Sequence, residues 1–388
     1  MTQRVQRIAV VGDLHYETAQ DALYRTARKQ LLEHAPTRVF QLGDQGGYSH
    51  CGSWLSFMEG LDFLRGFELP HHTLMGNHDL EGREYSSDAQ AVAAWCQAFN
   101  QTSPYYTVDL GSVLAICLSS TRLRGNIGCQ HEVYLDEPQI AWFRRVLNEN
   151  ADRPTFVFAH APILGSRVRV LQSVHLRCPN AWINHTDRPE RLIDIARQNP
   201  QIKLWFSAHN HLGQYYSDSD SQVGECTFVH TGVIGEVSRD GCHQSRLVDF
   251  DDTSFTLLTV DHATGEAIPN VHRSFLTGQV QRFQTPAPPE ERLHFAPPPF
   301  PTDDAPLCHG QSVFASHRGM LVEYDTTHQT PFGVVTDGLS QEHNITIVNG
   351  ELHILLGHET VRVIRPNSQG RFLHVFEPNP LLTQPLSA

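Results

Sequence analysis

The chain has 388 residues and a formal net charge of −13 at pH 7, with 40% hydrophobic and 18% charged residues. This length and balance allow one large folded domain plus a smaller one. The acidic excess argues against a nucleic-acid-binding protein, because such proteins place clustered Lys and Arg against phosphates. It does not exclude a phosphate-containing substrate, since bound metal ions can supply local positive charge.

The sequence shows no membrane or secretory signal. No apolar run approaches the ~18–20 residues that a membrane-spanning helix needs. The apolar stretch Ile8–Val11 is shorter than the ~7–15-residue core of a secretory signal. The eight cysteines are scattered without a CxxC pattern, which is typical of reduced thiols. We therefore expect a cytoplasmic protein with no membrane partner.

Short apolar runs alternate with helical patterns over the first ~210 residues, which is typical of a layered α/β fold. The predicted strands are Ile8–Val11, Val39–Leu42, Thr73–Met75, Val113–Leu118, Phe156–Ala159 and Ile202–Phe206. Two further runs, Leu247–Phe250 and Phe255–Val260, predict a closing hairpin.

Apolar residues at helical spacing predict helices between these strands. The residues that mark them are Leu23, Ala27 and Leu31; then Trp54, Phe57, Leu61 and Leu64, which are predicted to form the inner face of the second helix; then Ile140, Phe143 and Leu147; and the segment from Pro189 to Arg197. Ser53 is a candidate N-cap for the second helix. Asp136 and Gln139 resemble a capping box at the start of the third.

The composition changes between Gln284 and Pro306, where eight of the 23 prolines fall. Such density is typical of an extended linker or strap. Beyond it, Asn349-Gly350 between two apolar runs predicts a type I′ hairpin. Its strands, and two more, are Ile345–Val348, Glu351–Leu355, Thr360–Ile364 and Phe372–Phe376. We predict a main domain over residues 1–283, a linker over 284–306 and a β-rich module over 307–388.

Five segments rich in Asp, Asn and His each follow a predicted strand, where the ligand sites of α/β sheets collect. They are Gly12-Asp13-Leu14-His15, Gly43-Asp44-Gln45, Gly76-Asn77-His78-Asp79, Ala159-His160-Ala161-Pro162 and Ser207-Ala208-His209-Asn210-His211. Carboxylates with neutral imidazoles suit Mn²⁺, iron or Zn²⁺, and the lack of cysteine argues against a thiolate site. The candidate ligands, too many for one ion, are Asp13, His15, Asp44, Asn77, His160, His209 and His211.

Each segment alone is a weak signal. A D-x-H pair is common, and a lone histidine such as His160 is more often part of a hydrophobic core. All five in order, each directly after a strand, favour a metal centre with two ions that share a bridging group.

This arrangement resembles the calcineurin-like metallophosphoesterase superfamily, whose pattern is D-x-H, GD, GNH[DE], a lone H and GHxH. The resemblance covers about Arg7 to Asp261 and is nearest to the class III cyclic-nucleotide phosphodiesterases. It implies an α/β (α+β) fold, a four-layer αββα sandwich of two mixed β-sheets flanked by helices, here with a small C-terminal β-rich module. It also implies that residues 1–283 are catalytic and hold two divalent ions (Mn²⁺, Fe²⁺/Fe³⁺ or Zn²⁺).

The resemblance also implies individual roles. Asp13, His15 and His211 bind the first metal, Asp44 bridges both, and Asn77, His160 and His209 complete the second. A metal-activated hydroxide then attacks the phosphate ester. His78 faces the leaving group and acts as its proton donor, and Asp79 orients or polarises it.

The sequence departs from the family pattern in three places. The family often has GDxxD, but the third residue after Asp44 is Gly47. Tyr48 comes one residue later than the tyrosine ligand of purple acid phosphatases, which argues against that class unless the loop is shifted. Ala208 replaces a usual glycine without removing a ligand. The GDxVDRG and RGNHE motifs of Ser/Thr protein phosphatases are absent.

Four residues are weaker candidates for substrate binding: Arg122, Arg124, His175 and His185. The arginines follow a predicted strand and are placed to clamp a second phosphate. The histidines lie in the insertion between the fourth and fifth segments, where family members carry substrate-selecting loops. A solvated loop and surface histidines are the competing interpretations.

The leading hypothesis is a hydrolase of a small phosphate ester, either a phosphodiester or a phosphomonoester. The alternatives are a dedicated phosphomonoesterase, a nuclease of the same superfamily, and a scaffold without activity. The nuclease is disfavoured because the chain lacks a basic, aromatic-lined stripe. The scaffold is disfavoured because no ligand is missing. The C-terminal module is a candidate for ligand binding, homo-oligomerisation or covering the active site.

Overall fold

The computed structural model describes residues 5–125, 133–163, 166, 168, 186, 189–216 and 218–286 of the main domain. Beyond these it describes residues 307–309, 312–317, 320–325, 330–336, 343–356 and 359–366. His175, His185 and the predicted strand Phe372–Phe376 lie outside the described residues. Within them, no helix is long and apolar enough to cross a membrane.

The main domain alternates strands and helices as the sequence predicts. Its strands are β1 (Gln6–Val11), β2 (Arg38–Gln41), β3 (His71–Thr73), β4 (Tyr106–Asp109), β5 (Leu114–Cys117), β6 (Thr155–Phe158), β7 (Ile202–Ser207), β8 (Asp220–Val223), β9 (Cys226–His230), β10 (Gln244–Phe250), β11 (Ser254–Asp261), β12 (Glu266–Ser274) and β13 (Val280–Arg282). Its helices are α1 (Asp21–Glu33), α2 (Trp54–Arg65), α3 (Asp88–Ala98), α4 (Glu137–Glu149) and α5 (Pro189–Gln198).

Two mixed sheets form the centre of the domain. The first has the order β13-β12-β11-β10-β1-β2-β3, with β1, β2 and β3 parallel and β10 antiparallel to β1. The second has the order β4-β5-β6-β7-β9-β8, with β5, β6, β7 and β9 parallel between two antiparallel edges. Neighbouring parallel strands place their carboxyl ends along one edge of a sheet, which is where ligand-binding loops gather.

Three apolar layers hold the sheets and helices together. Along β1, Ala9 and Val11 pack with α1 and α2, whereas Ile8 and Val10 face the second sheet, as the two-residue period of a strand requires. Residues of α4 and α5 form the third layer with the other face of the second sheet. The predicted four-layer αββα sandwich is therefore confirmed.

The helix caps agree with the sequence in most respects. Ser53 accepts a hydrogen bond from the Ser56 amide, and Asp136 accepts one from the Gln139 amide. In a capping box the side chain of Gln139 would bond the main chain of Asp136. Here it instead bonds the main-chain amide and carbonyl of Ser119, just after β5.

Two local predictions are wrong. Trp54 is 41% exposed and does not belong to the inner face of α2, because it is the first residue of the helix and its amide is held by Glu84 in a surface loop. The strand predicted over Thr73–Met75 ends at Thr73, because the Met75 amide turns to the side chain of Ser119.

Several elements have weak sequence signals and were not predicted. Helix α3 has many alanines, β8 is polar, and β12 contains Pro269. Pro269 is tolerated because the register between β11 and β12 shifts at Leu257/Leu258, opposite the proline.

The C-terminal residues are β-rich, as predicted. Strands β14 (Leu307–His309), β15 (Ser312–His317), β16 (Met320–Asp325) and β17 (Thr330–Thr336) form one antiparallel sheet, and β18 (His343–Val348), β19 (Glu351–Leu356) and β20 (Glu359–Ile364) form another. Asn349 and Gly350 have φ values of 52° and 79°, which confirms the predicted hairpin. The domain boundaries themselves stay predictions.

Phe158 tests the layer between the two sheets. It stacks on Phe40 at 4.1 Å and on Phe206 at 5.1 Å between ring centroids, and it is fully buried. We expect Phe158→Ala to lower the free energy of unfolding by about 3–5 kcal/mol, measured by denaturant titration. Leu276→Ala is the control, because Leu276 is 76% exposed. An equal effect of the two substitutions would contradict this account of the core.

Candidate metal centre

The predicted ligands converge at the carboxyl ends of β1, β2, β6 and β7 and in the loop after β3. All seven are buried: Asp13, His15, Asp44, Asn77, His160, His209 and His211. Ligand atoms of Asp13, Asp44, His160 and His209 lie within 4.8 Å of one another, and so do those of Asp13, His15 and His211. A third such set, His15, Asp44 and His78, overlaps both. The two aspartates therefore connect the histidines of the two sheets.

The first group is centred on His160. Its Nδ1 donates to the Leu42 carbonyl at 2.6 Å, which leaves a lone pair on Nε2 of the neutral ring. That Nε2 lies 3.0 Å from Asn77 Oδ1, 3.0 Å from His209 Nδ1 and 3.2 Å from Asp44 Oδ2. Electron-rich atoms at these distances repel one another unless a proton or a cation lies between them.

The pKa of His160 reflects this charge distribution. Burial alone would lower it, but the carboxylates of Asp44 and Asp13 raise the pKa of His160 to about 9. The group therefore stabilises positive charge inside the protein.

The second group is centred on Asp13. His211 Nε2 lies 2.6 Å from Asp13 Oδ2, and His15 Nε2 lies 3.9 Å from the same oxygen and 3.6 Å from Asp44 Oδ2. Burial lowers the pKa of His15 to about 3, so this ring is neutral, which is the form that binds metals.

The turns that present these ligands are strained. His15, Asp44, His209 and His211 have φ values of 42°, 55°, 64° and 52°, the left-handed region that non-glycine residues rarely occupy. Local hydrogen bonds offset the cost: the His15 amide donates to the Asp44 carbonyl at 2.8 Å, and the His209 amide donates to Asp13 Oδ1 at 2.8 Å. Gly12 allows the approach of the loop after β9, since a Cβ there would collide with the Gly232 carbonyl.

The donor set fits divalent metal ions. Four of its atoms are buried and make no hydrogen bond with any described residue: both ring nitrogens of His15, Oδ2 of Asp44 and Nδ1 of His211. Leaving a buried polar atom unpaired costs about 1–3 kcal/mol. Coordination of divalent cations would satisfy the Asp44 oxygen and one nitrogen of each imidazole, and the mixture of carboxylate, amide and imidazole donors suits Mn²⁺, iron or Zn²⁺.

Asp79 connects the second and third ligand loops. Its carboxylate accepts hydrogen bonds from the amides of Asp44 (2.7 Å), Gln45 (2.9 Å) and Gly76 (2.9 Å). Burial and the charge of Asp44 raise the pKa of Asp79 to about 7, against the opposite effect of these three donors. These contacts position the loops, and the catalytic role predicted for Asp79 stays a prediction.

His78 stands beside the centre. Its amide donates to Asp44 Oδ1 at 2.9 Å, and its ring centroid lies 5.2 Å from that of His15. Its Nδ1 lies 2.9 Å from Glu81 Oε1, and Cys51 donates to Glu81 Oε2 at 3.1 Å. Although burial opposes it, the charge of Asp44 and the contacts with Cys51 and Glu81 raise the pKa of His78 well above its ordinary value.

Two further residues lie at the mouth of the centre. The sequence did not indicate Arg239, and it indicated Tyr48 only as a metal ligand of a shifted loop. Tyr48 lies over His15, with ring centroids 4.4 Å apart, and is 51% exposed. Arg239 donates its amide to the His211 carbonyl at 2.9 Å. Its Nε is buried and makes no hydrogen bond with the described residues, and none of their acidic side chains forms an ion pair with it. Burial lowers the pKa of Arg239, and the nearby Tyr48 and Asp13 act in the opposite direction.

The predicted substrate-binding arginines have other partners. Arg124 donates to the carbonyls of Leu80, Gly82 and Tyr85 and to the Asp88 carboxylate, so it anchors the loop after His78. The guanidinium of Arg122 lies 3.4 Å from the centroid of the Tyr134 ring. Substrate binding by Arg122 and Arg124 stays a prediction, and His175 and His185 lie outside the described residues.

The model of the calcineurin-like phosphoesterase domain matches residues 6–213, the segment that contains all seven candidate ligands. The chain belongs to the calcineurin-like phosphoesterase family. Together with the buried Asp/His cluster, this membership supports a metal-dependent hydrolase that acts on phosphoesters.

Known proteins similar to this calcineurin-like phosphoesterase include a probable cyclic nucleotide phosphodiesterase of Rhodopseudomonas palustris. It is 23% identical over 217 residues, which cover 53% of this chain and 76% of that protein. Among solved structures, GAP50, the anchor in the inner membrane complex of Plasmodium, is 12% identical, with a TM-score of 0.45 and coverage of 73% and 89% of the two chains. The purple acid phosphatase PPD1 of yellow lupin (Lupinus luteus) is 16% identical, with a TM-score of 0.44 and coverage of 72% and 53%.

Asp44→Asn tests the metal centre. The amide keeps an oxygen for the His78 amide but removes the negative charge shared by the two ligand groups. We expect the bound metal of the purified protein, measured by plasma mass spectrometry after Mn²⁺ loading and dialysis, to fall by half or more and hydrolysis to be lost. Asp62→Asn, on the exposed face of α2, is the matched control. Full metal content in Asp44→Asn would contradict the assignment.

Proposed function

We propose that this chain is a dinuclear metal-dependent phosphoesterase whose substrate is a small phosphodiester. The observation that supports it most is the pair of ligand groups that share Asp13, together with the third set in which Asp44 and His15 lie beside His78. Seven buried donors are more than one ion needs and fit two. A small phosphomonoester is the second candidate substrate, because the same centre can hold either ester.

Diester specificity is favoured by the relative from Rhodopseudomonas palustris, which is named as a probable cyclic nucleotide phosphodiesterase. The net charge of −13 disfavours a nuclease, because polynucleotide binding relies on basic surfaces. We propose that the substrate is a small phosphate ester in the cytoplasm and that the protein has no nucleic-acid or membrane partner. Homo-oligomerisation is one proposed role of the C-terminal strands.

Each side chain of the centre has a proposed task. Asp13, His15 and His211 would hold one ion, Asn77, His160 and His209 the other, and Asp44 would touch both. When bound, the two ions supply a water of lowered pKa and positive charge for the phosphoryl oxygens. Mn²⁺, iron and Zn²⁺ all suit these donors.

His78 would donate a proton to the leaving oxygen. Its Nδ1 faces Glu81, so Nε2 is the atom on the other side of the ring. A positioned proton donor contributes about 10²–10⁴-fold to such reactions, and most when the leaving alkoxide is poor.

Arg239 would bind a phosphoryl oxygen of the substrate. It is a half-buried cation whose main chain is bonded to that of the ligand His211, and its Nε makes no hydrogen bond. A guanidinium matches the geometry of phosphate oxygens. Tyr48, on the ring of His15, would form the adjoining wall of the pocket.

The proposed activity is tested with bis-p-nitrophenyl phosphate and p-nitrophenyl phosphate, each with Mn²⁺ and with Asp44→Asn as the negative control. We expect Mn²⁺-dependent hydrolysis with a higher kcat/KM for the diester. A higher kcat/KM for the monoester would contradict the phosphodiesterase proposal and indicate a phosphatase instead. No hydrolysis of either ester by protein shown to contain metal would contradict the proposed function.

Arg239→Met tests the phosphate contact. The substitution keeps an apolar stem but removes the charge, so we expect KM for the diester to rise by about tenfold or more, the loss typical of one charged hydrogen bond. The metal content should not change. Arg25→Met is the matched control, since Arg25 is an exposed residue of α1 that pairs with Asp21. An unchanged KM in Arg239→Met would remove Arg239 from the substrate site.

A further inference from the structure

A short chain of polar contacts leads from the surface to the proposed proton donor. Cys51 Sγ donates to Glu81 Oε2 at 3.1 Å, and Glu81 Oε1 lies 2.9 Å from His78 Nδ1. We propose that Glu81 is a positioning residue, which fixes the His78 ring so that Nε2 delivers the proton to the leaving group. This inference rests on the proposed function and deepens it, because nothing in the sequence pattern assigns a role to Glu81.

The contact sets the orientation of the ring. Glu81 Oε1 lies at ion-pair distance from Nδ1, so negative charge faces this nitrogen and favours a proton on it, and Nε2 is the nitrogen that exchanges a proton with the substrate. The side chains of His78 and Glu81 are only 6% and 20% exposed. An ion-pair contact in such surroundings is screened less than one in water, so it can hold the ring in a single orientation.

The other nearby carboxylates are engaged elsewhere. Both oxygens of Asp79 accept main-chain amides of the ligand loops. Oδ1 of Asp44 accepts the main-chain amide of His78. Position 47, which is Gly, offers no side chain, and a Cβ built there would collide with the carboxylate of Glu17. Glu81 is therefore the described carboxylate whose oxygen lies at hydrogen-bond distance from the ring of His78.

Glu81 is itself held in place. Its amide donates to the His78 carbonyl at 3.1 Å, which closes a tight turn between the two residues. Gly52, at φ +67°, lets the loop that bears Cys51 approach this turn, since a Cβ there would lie 2.6 Å from the His78 carbonyl oxygen and 2.7 Å from the Glu81 amide. Arg124 fixes the turn from the other side through the Leu80 and Gly82 carbonyls.

A positioning role predicts a selective kinetic defect. Methyl p-nitrophenyl phosphate has a good leaving group and needs little help from a proton donor, whereas methyl phenyl phosphate has a poor one. In the Mn²⁺-loaded full chain, we expect Glu81→Gln to lower kcat for the phenyl ester by about 10²-fold and for the p-nitrophenyl ester by less than about threefold. KM and metal content should stay unchanged, because the metal ligands and Arg239 are retained.

Three comparisons distinguish positioning from general damage. Glu81→Asp should recover part of the lost kcat, because the carboxylate is kept. Cys51→Ala should give a smaller loss on the phenyl ester alone, because it removes the donor to Glu81 Oε2 and a neighbour of the His78 ring but keeps the Glu81 carboxylate. Glu84→Gln, in the same loop, should behave as the native protein, since the described contacts of Glu84 are with the Trp54 amide and the side chain of Tyr85.

The outcomes that would overturn the inference are specific. Equal losses on the two esters, or a further loss when Glu81→Gln is added to His78→Ala, would show that Glu81 does not act through His78. Loss of metal or a lowered Tm in Glu81→Gln would make its role structural. If the native protein hydrolyses the esters and Glu81→Gln has the same kcat, this inference alone is rejected. If the native protein is inactive, the proposed function is rejected as well.

Discussion

The burial of converging lone pairs around Asp13 and Asp44 is the constraint on which the rest of the structure depends. Imidazole nitrogens, an amide oxygen and two carboxylates meet within a few ångströms and out of contact with water. Protein interiors tolerate such groups only when they are paired or coordinate metals. The strained turns and the short hydrogen bond from His160 to the Leu42 carbonyl maintain this arrangement, so the fold is organised around a place for positive charge.

The two-sheet architecture explains how one centre collects ligands that are distant in sequence. Strands β1 and β2 of the first sheet present Asp13 and Asp44, and β6 and β7 of the second present His160 and the Ser207–His211 segment. The apolar layer around Phe158 keeps the two sheets in contact, and Asp79 joins the main chains of adjacent loops. Stability and metal binding are therefore coupled: loosening the inner layer separates the ligand groups, and removing a ligand leaves buried charge unpaired.

The sequence predicts what local patterns determine. Apolar runs followed by Gly-Asp, Gly-Asn or Ala-His locate both the strands and the ligands that follow them, and the order of the five segments identifies the family. The sequence does not predict contacts between residues that come together only when loops fold back on the domain. Glu81 reaches His78 within one turn, but Cys51 joins it only because Gly52 permits a close approach. Arg239 lies 28 residues after His211 and returns to it through one main-chain bond. Helical periodicity also assigned Trp54 to the inner face of α2, although Trp54 is the first residue of the helix and its side chain is exposed.

We propose that one chain holds two divalent ions between the two ligand groups. The most direct measurement is anomalous diffraction from crystals of the Mn²⁺-loaded protein, recorded at the manganese edge. Our account predicts two peaks about 3.5–4 Å apart, one beside His15 and His211, the other beside Asn77 and His160, with Asp44 in contact with both. A single peak, or peaks away from these residues, would contradict it.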